Sequence, residues 1–202
     1  MNKFIVATKN QGKLIEIKEI LKKLNFEVVS MEEIGFTKDI EETGDTFEEN
    51  ALIKAKEINR ISGEFVMADD SGLLVEYLNF APGVHTSRFA GENASDLDKI
   101  NKLLKLLEGV PFEKRKARFV CVIAVVFPKG KSFTVKGILD GYISNEPRGS
   151  NGFGYDPIFI IPEFNMTTAE MKSEEKHKIS HRGIALEKMV YELEKQILEQ
   201  KI

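Results

Sequence analysis

The chain has 202 residues, 42% hydrophobic and 30% charged, with 29 Lys and Arg against 32 Asp and Glu for a net charge of −3 at pH 7. That is the composition of a globular protein able to close a core without staples, and it excludes an intrinsically disordered chain and a small disulfide scaffold. Mild acidity and the lack of a basic block exclude a general nucleic-acid binder, whose backbone affinity comes from many Lys and Arg contacts.

At about 150 residues per domain the length predicts one domain over residues 1–202, with room for two lobes. Residues 4–7 form a short apolar run that predicts a buried strand, which enters the polar loop Thr8, Lys9, Asn10, Gln11, Gly12. Leu14, Ile17, Leu21 and Leu24 then recur at spacings of three and four, opposite Lys18, Lys22 and Lys23, which predicts a helix; residues 26–29 predict a second strand. An acidic stretch with Glu32, Glu33, Asp39, Glu41, Glu42 and Asp45 leads to a helix capped by Asp45 with Glu48, its buried stripe Phe47, Ala51, Ala55 and Ile58. Residues 65–68 predict a strand ended by Asp69, Asp70, Ser71 and Gly72, with extended structure resuming over 73–78.

Ser95 with Asp98 predicts the cap of a helix whose Leu97, Ile100, Leu104 and Leu107 share one face and which stops at Gly109 and Pro111. Residues 117–127 and 132–143 read as an antiparallel hairpin across the turn 128–131. A glycine-punctuated loop over 148–157 leads to a strand at 158–161, ended by Pro162. Ser180 is the expected N-cap of a last helix carrying Leu186, Val190, Leu193 and Ile197. Alternating strands and helices with one hairpin define an α/β class with a mixed sheet, and neither repeats nor low-complexity tracts interrupt it.

The single cysteine, Cys121, lies among Phe119, Val120, Val122 and Ile123 and reads as a buried thiol in a reducing compartment. The longest apolar run, 119–127, is far short of the roughly 20 residues that cross a bilayer. Polar Thr8, Lys9 and Asn10 follow residues 2–7 too soon for a secretory signal, so the expected location is cytoplasmic, with no membrane partner.

Four constellations carry candidate chemistry. Thr8, Asn10, Lys13 and Glu16 stand where a strand becomes a helix, where N–H groups and a lysine can hold phosphate oxygens; an ordinary turn with a solvated lysine is the competing reading. The loop lacks the glycine spacing of a Walker A motif. Asp69 and Asp70, with Glu41 and Glu42 as partners, need a cation if buried, and Mg²⁺ is the natural one; a capped turn and a solvated acidic loop are the alternative. Phe153 between Gly152 and Gly154 reads either as a platform for a base or as core packing. Lys176, His181 and Arg182 gather near a helix start, where cations oppose the macrodipole, and so point either to an anionic or carbonyl-bearing ligand or to plain surface exposure. His85, His177 and His181 lack zinc-ligand spacing, and no Gly-x-Ser-x-Gly elbow surrounds Ser71, which argues against a zinc site and a serine hydrolase.

In order, Thr8-Lys9-Asn10-Gln11-Gly12-Lys13, Glu41-Glu42-Thr43-Gly44-x-Thr46-Phe47-x-Glu49-Asn50, Ala68-Asp69-Asp70-Ser71-Gly72-Leu73, Ala81-Pro82-Gly83-Val84, Gly152-Phe153-Gly154-Tyr155-Asp156-Pro157 and Ser180-His181-Arg182-Gly183 resemble the inosine triphosphate pyrophosphatase family across nearly the whole chain. The resemblance implies an elongated α/β domain, its mixed twisted sheet flanked by helices, with two lobes and a central cleft. It also implies a homodimer, Mg²⁺ dependence and hydrolysis of ITP, dITP or XTP to the monophosphate and pyrophosphate. It puts the phosphates on Thr8, Lys9, Asn10, Gln11, Gly12 and Lys13, metal on Glu42 and Asp70, and the proton-accepting role on Asp70. Ser71 would contact substrate, and Phe153, Gly154, Tyr155, Asp156, Lys176, His181 and Arg182 would form the base pocket.

The chain departs from the family pattern at Asn79-Phe80, where many relatives have Gly-Gly, at Asn151, which is expected to tolerate a left-handed conformation, and at Lys9, where glycine is common. Two other functions share these residues: a related phosphatase releasing orthophosphate, and a non-catalytic nucleotide sensor.

Overall fold

A computed structural model describes residues 3–21 and 26–199, apart from the side chains of residues 16, 19 and 20. The expected placements of Glu16, Lys22, Lys23 and Leu24 lie outside the described set. Strand β1 (Lys3–Val6), helix α1 (Gln11–Leu21) and strand β2 (Glu27–Ser30) come first. Phe4, Ile5 and Val6 are almost wholly buried, and Leu14, Ile17 and Leu21 turn the apolar face of α1 inward. Helix α2 (Phe47–Ser62) starts one residue later than the Asp45 cap predicts. Thr46 Oγ1 accepts the Glu49 N–H at 3.1 Å while Glu49 accepts those of Asp45 and Thr46, so a threonine-glutamate box displaces the aspartate.

Strand β3 is continuous over Phe65–Val75. The expected break at Asp69 and Asp70 does not occur, because each carboxylate meets a lysine within the fold and neither has to reach solvent. Helix α3 (Asp96–Leu106) has the expected Ser95–Asp98 box. Its buried face is Ile100, Leu103 and Leu107, with Leu104 partly buried; Leu97 is 61% exposed, since the first turn lies clear of the core that the later turns cover.

Strands β4 (Lys116–Val126) and β5 (Ser132–Ile143) form the hairpin, closed by the Phe127 N–H on the Lys131 carbonyl. Strand β6 (Phe159–Ile161) and the two-residue β7 (Met166–Thr167) follow. Helix α4 (Ser173–Ile179), which the sequence pattern did not predict, immediately precedes α5 (His181–Glu199). Ser180 Oγ accepts the Gly183 N–H at 3.0 Å, the N-cap bond expected of it.

The seven strands run in the order β2-β1-β3-β4-β5-β6-β7. The β1–β2 and β1–β3 pairs are parallel, with α1 and α2 as the crossovers such pairs require, whereas β5–β6 and β6–β7 are antiparallel. The sheet is therefore mixed, as the alternation of elements implies. Two compact units divide the chain: residues 1–70, 121–137 and 184–202 in the first, residues 71–120 and 138–183 in the second. The first has its core in Phe4, Val6, Ile17, Leu21, Met67, Ile123, Leu186 and Leu193, the second in Leu73, Leu103, Leu107, Phe119, Ile143 and Phe159. Burying such side chains is worth about 1.5–3 kcal/mol each. Among the described residues no helix is long and apolar enough to cross a membrane.

Candidate active site

In the first unit the loop after β1 is organised by its own side chains. Asn10 Oδ1 accepts the Lys13 N–H at 3.1 Å, which makes Asn10 the N-cap of α1, and Thr8 Oγ1 accepts the Asn10 N–H at 3.2 Å. Gln11 and Gly12 are exposed at the start of the helix, so its first N–H groups open toward solvent. Lys9 is turned outward onto Asp39 at 2.6 Å. Lys13 lies 2.8 Å from Asp69 Oδ2, and the Cys121 thiol is 4.0 Å from that same oxygen. Cys121 is fully buried, as its neighbours predict.

Consecutive strand residues point to opposite faces, so Asp69 and Asp70 meet different partners. Asp70 Oδ1 is 3.7 Å from the Lys54 ammonium, which also stands 2.9 Å from Glu42 Oε1. Carboxylates from two separate segments thus converge on one cation. Burial pushes the Asp70 carboxyl above its ordinary pKa; Lys54 and Lys13 oppose this, Glu42 adds to it, and a hydrogen bond from Asn50 opposes it. Burial works to lower the Lys54 pKa, but Asp70, Asp69 and Glu42 override it and hold the ammonium more firmly protonated than a free lysine.

In the second unit the loop 152–156 wraps around one carboxylate. Asp156 is 3% exposed. Its Oδ2 accepts the Phe153 N–H at 2.9 Å and pairs with Lys176 Nζ at 2.7 Å, and its Oδ1 accepts the Thr168 hydroxyl at 2.8 Å. Gly152 has φ +79°, and a Cβ there would fall on Asp156 Oδ2, so both the turn and the close approach require glycine. Gly154 donates its N–H to Asp96 Oδ2 at 2.7 Å. Asn151 is not left-handed; its side chain donates to the Met171 carbonyl, and Gly149, Gly152 and Gly154 supply the positive φ values instead. Asn79 and Phe80, by contrast, do adopt φ 49° and 66°.

Phe153 is 37% exposed, with Lys176 Nζ 5.3 Å and the Arg182 guanidinium 5.5 Å from its ring centre. Arg182 donates to Ser71 Oγ at 3.2 Å, and His181 stacks on Phe119 with centres 4.8 Å apart. Both are buried at the start of α5, which excludes the surface-exposure reading. Tyr155 is 2% exposed within the core; its hydroxyl reaches the Thr86 carbonyl at 3.4 Å, and burial raises its pKa.

Three residues of these networks, Lys54, Asp96 and Thr168, escape the sequence reading, and Asn50 enters it only as part of the family motif. Lys54 carries a signal in hindsight, a lysine at helical spacing within the stripe Ala51, Ala55, Ile58. Asn50 is a buried polar residue on the same helix face, one turn earlier. Asp96 looks like an ordinary first-turn acid, and Thr168 gives no signal at all.

A mixed α/β sheet whose first strand leads into a helix with an exposed first turn, and whose adjacent aspartates are braced by lysines, defines the class: an α/β protein with a cluster of paired charges at a strand-to-helix turn. The sequence profile of the Ham1 family matches residues 4–192, and the chain belongs to that family. Relatives named dITP/XTP pyrophosphatase in Bacillus licheniformis and Bacillus subtilis are 52% and 50% identical, each over 94% of this chain and 96% of the relative. The structure of a HAM1 protein from Coxiella burnetii superposes with a TM-score of 0.89 at 44% identity, covering 96% of this chain and all of that one.

Proposed function

We propose that the chain hydrolyses non-standard purine nucleoside triphosphates, of the ITP, dITP and XTP type, to the monophosphate and pyrophosphate. The observation that carries this is the meeting of Glu42 and Asp70 at one ammonium, in a chain about half identical to proteins named dITP/XTP pyrophosphatase.

The donor set suits a magnesium ion. Glu42, Asp69 and Asp70 exceed Lys13 and Lys54 by one negative charge, and hard carboxylate oxygens are what Mg²⁺ takes from a protein, completing its shell with water and substrate phosphate. When bound, the ion neutralises the triphosphate and acidifies water. Glu42 and Asp70 would hold it.

Asp70, ionised and held beside the Lys54 ammonium, receives the proton of the attacking water. The exposed N–H groups at Gln11 and Gly12, with Lys13, stabilise charge gathering on the departing pyrophosphate. In the second unit Phe153 offers a ring to the base, while Lys176, His181 and Arg182 supply donors for a 6-oxo group; Asp156 and Tyr155 shape the loop rather than bind. An adenine amino group would face those donors with another donor, costing about 1–3 kcal/mol per unpaired group.

A homodimer in the cytoplasm completes the reading; the buried lone thiol of Cys121 and the family resemblance support it. Product analysis tests the activity. With Mg²⁺ and ITP or XTP, IMP or XMP plus pyrophosphate is expected. IDP plus orthophosphate would replace this reading with a phosphatase, and no turnover with a sensor.

A further inference from the structure

Asn50 is only 2% exposed, yet asparagine is a weak helix former and its amide is costly to bury without partners. Both ends of that amide are used. Its Oδ1 accepts the Gly44 N–H at 2.8 Å. Its other end hydrogen-bonds the Asp70 carboxylate, which an amide does only through Nδ2. Gly44 follows Glu42 by two residues, and a Cβ on it would stand 2.6 Å from Glu49 Cβ and 2.8 Å from Asn50 Oδ1, so the segment presses directly on α2. The next two N–H groups, of Asp45 and Thr46, are taken by Glu49. Three successive N–H groups of the segment that carries Glu42 are therefore gripped by α2, and one of the gripping side chains also holds Asp70.

We propose that Asn50 is a positioning residue that fixes the separation of the Glu42 and Asp70 carboxylates and thereby sets how tightly this chain holds a divalent cation together with its triphosphate. The inference rests on the function proposed above. Lys54 joins the same two carboxylates, but an ammonium on a four-carbon stem accommodates a range of spacings. An amide bonded at both ends does not, because hydrogen bonds weaken steeply with misalignment. Mg²⁺ in turn demands near-ideal octahedral geometry, so a displaced carboxylate costs affinity.

The probe is Mn²⁺, with the free ion measured by electron paramagnetic resonance in the presence of α,β-methylene ITP, which cannot be cleaved at the innermost phosphorus. N50A removes both bonds; G44A displaces the exposed segment while keeping the amide on Asp70, and serves if N50A does not fold. Each is expected to raise the Mn²⁺ Kd of the ternary complex about tenfold, in the range found when groups orienting metal ligands are removed. The half-saturating Mg²⁺ for turnover should rise in parallel, while affinity for the metal-free analogue is retained. Unchanged Mn²⁺ Kd in the folded variants, with or without a lower melting temperature, overturns the inference alone. A wild-type protein that binds no Mn²⁺ with the analogue overturns the metal reading of Glu42 and Asp70, and this inference with it.

Discussion

Lys54 decides what single substitutions near the carboxylates will do. It pairs with both Asp70 and Glu42, so Lys54→Met leaves two carboxylates facing each other without their shared cation; removing one partner of a buried pair costs about 3–5 kcal/mol. Asp70→Asn is milder for the fold, because the amide keeps the shape and relieves the charge. It should cut kcat by about a thousandfold, the scale of losing a general base, while ITP still binds in a calorimetric titration; turnover near the wild-type rate would remove Asp70 from the chemistry. Selectivity is a separate matter. The Arg182 guanidinium, 5.5 Å from the centre of the Phe153 ring, is the donor whose removal tests the reading of the 6-oxo group. Arg182→Ala should reduce the ITP-to-ATP ratio of kcat/KM about tenfold, and an unchanged ratio would end that assignment. Away from these groups, Glu33 has its pKa held down to about 2 by the Ser30 N–H first, then by Lys18 and the Ser30 hydroxyl. A carboxyl depressed on folding stabilises above its unfolded value near 4.5 and loses that contribution as pH falls toward 2. Glu33→Gln should therefore lower the melting temperature at neutral pH and leave less acid sensitivity between those two values.

At the scale of elements, the ends of helices carry more of the structure than their stripes reveal. The C-terminus of α3 is held by Arg115, which is 4% exposed and donates to the carbonyls of Leu107 at 2.6 Å, Val110 at 2.9 Å and Ser144 at 2.8 Å. Burial lowers its pKa, and the three carbonyls compensate that burial. Arg115→Met leaves those carbonyls without their donor, and at about 1 kcal/mol or more apiece the loss should reach roughly 3 kcal/mol in urea unfolding. At the other end of the same helix Asp96 accepts the Gly154 N–H, tying the aromatic loop to α3. Asp96→Ala should raise KM for ITP several-fold with little change in kcat, since it loosens the Phe153 platform and touches no reacting atom. Such tethers explain what the sequence does and does not disclose. Most strands, the Ala51, Ala55 and Ile58 stripe of α2, Ile100 and Leu107 at α3 and the Ser95 box are legible because they repeat at local spacings, whereas Phe47 is only partly buried, Leu97 is exposed and the two-residue β7 leaves no pattern. The Thr46 box is off by one residue because Asp45 is an equally good cap until the N–H directions are known. Helix α4 is missed because a seven-residue charged segment has no stripe to display.

For the molecule as a whole, the order of the elements and the mixed sheet are readable because alternating apolar runs force them. The pairing of distant charges is not, since Asp69 with Lys13 and Asp70 with Lys54 depends on which face of β3 each carboxylate takes. The sequence pattern breaks the strand at just those residues, because two adjacent aspartates look like a loop until their cations are in place. That strand has a thermodynamic consequence. Met67 and Ala68 of β3 are buried in the first compact unit, and Leu73 and Val75 in the second, with Asp69 to Gly72 between them in one unbroken backbone. The next strand, β4, likewise places Ala117 and Phe119 in the second core and Cys121, Ile123 and Val125 in the first. Each of these strands is one continuous hydrogen-bonded run, so the free energy of opening should be common to both of its halves. Native-state hydrogen exchange measures it residue by residue. The amides of Met67 and Ala68 are expected to exchange with the same opening free energy as those of Leu74 and Val75, and to fall together as urea is added. A difference of more than about 2 kcal/mol between the two halves, well beyond ordinary local fraying, would mean that the units open separately and that β3 does not couple them.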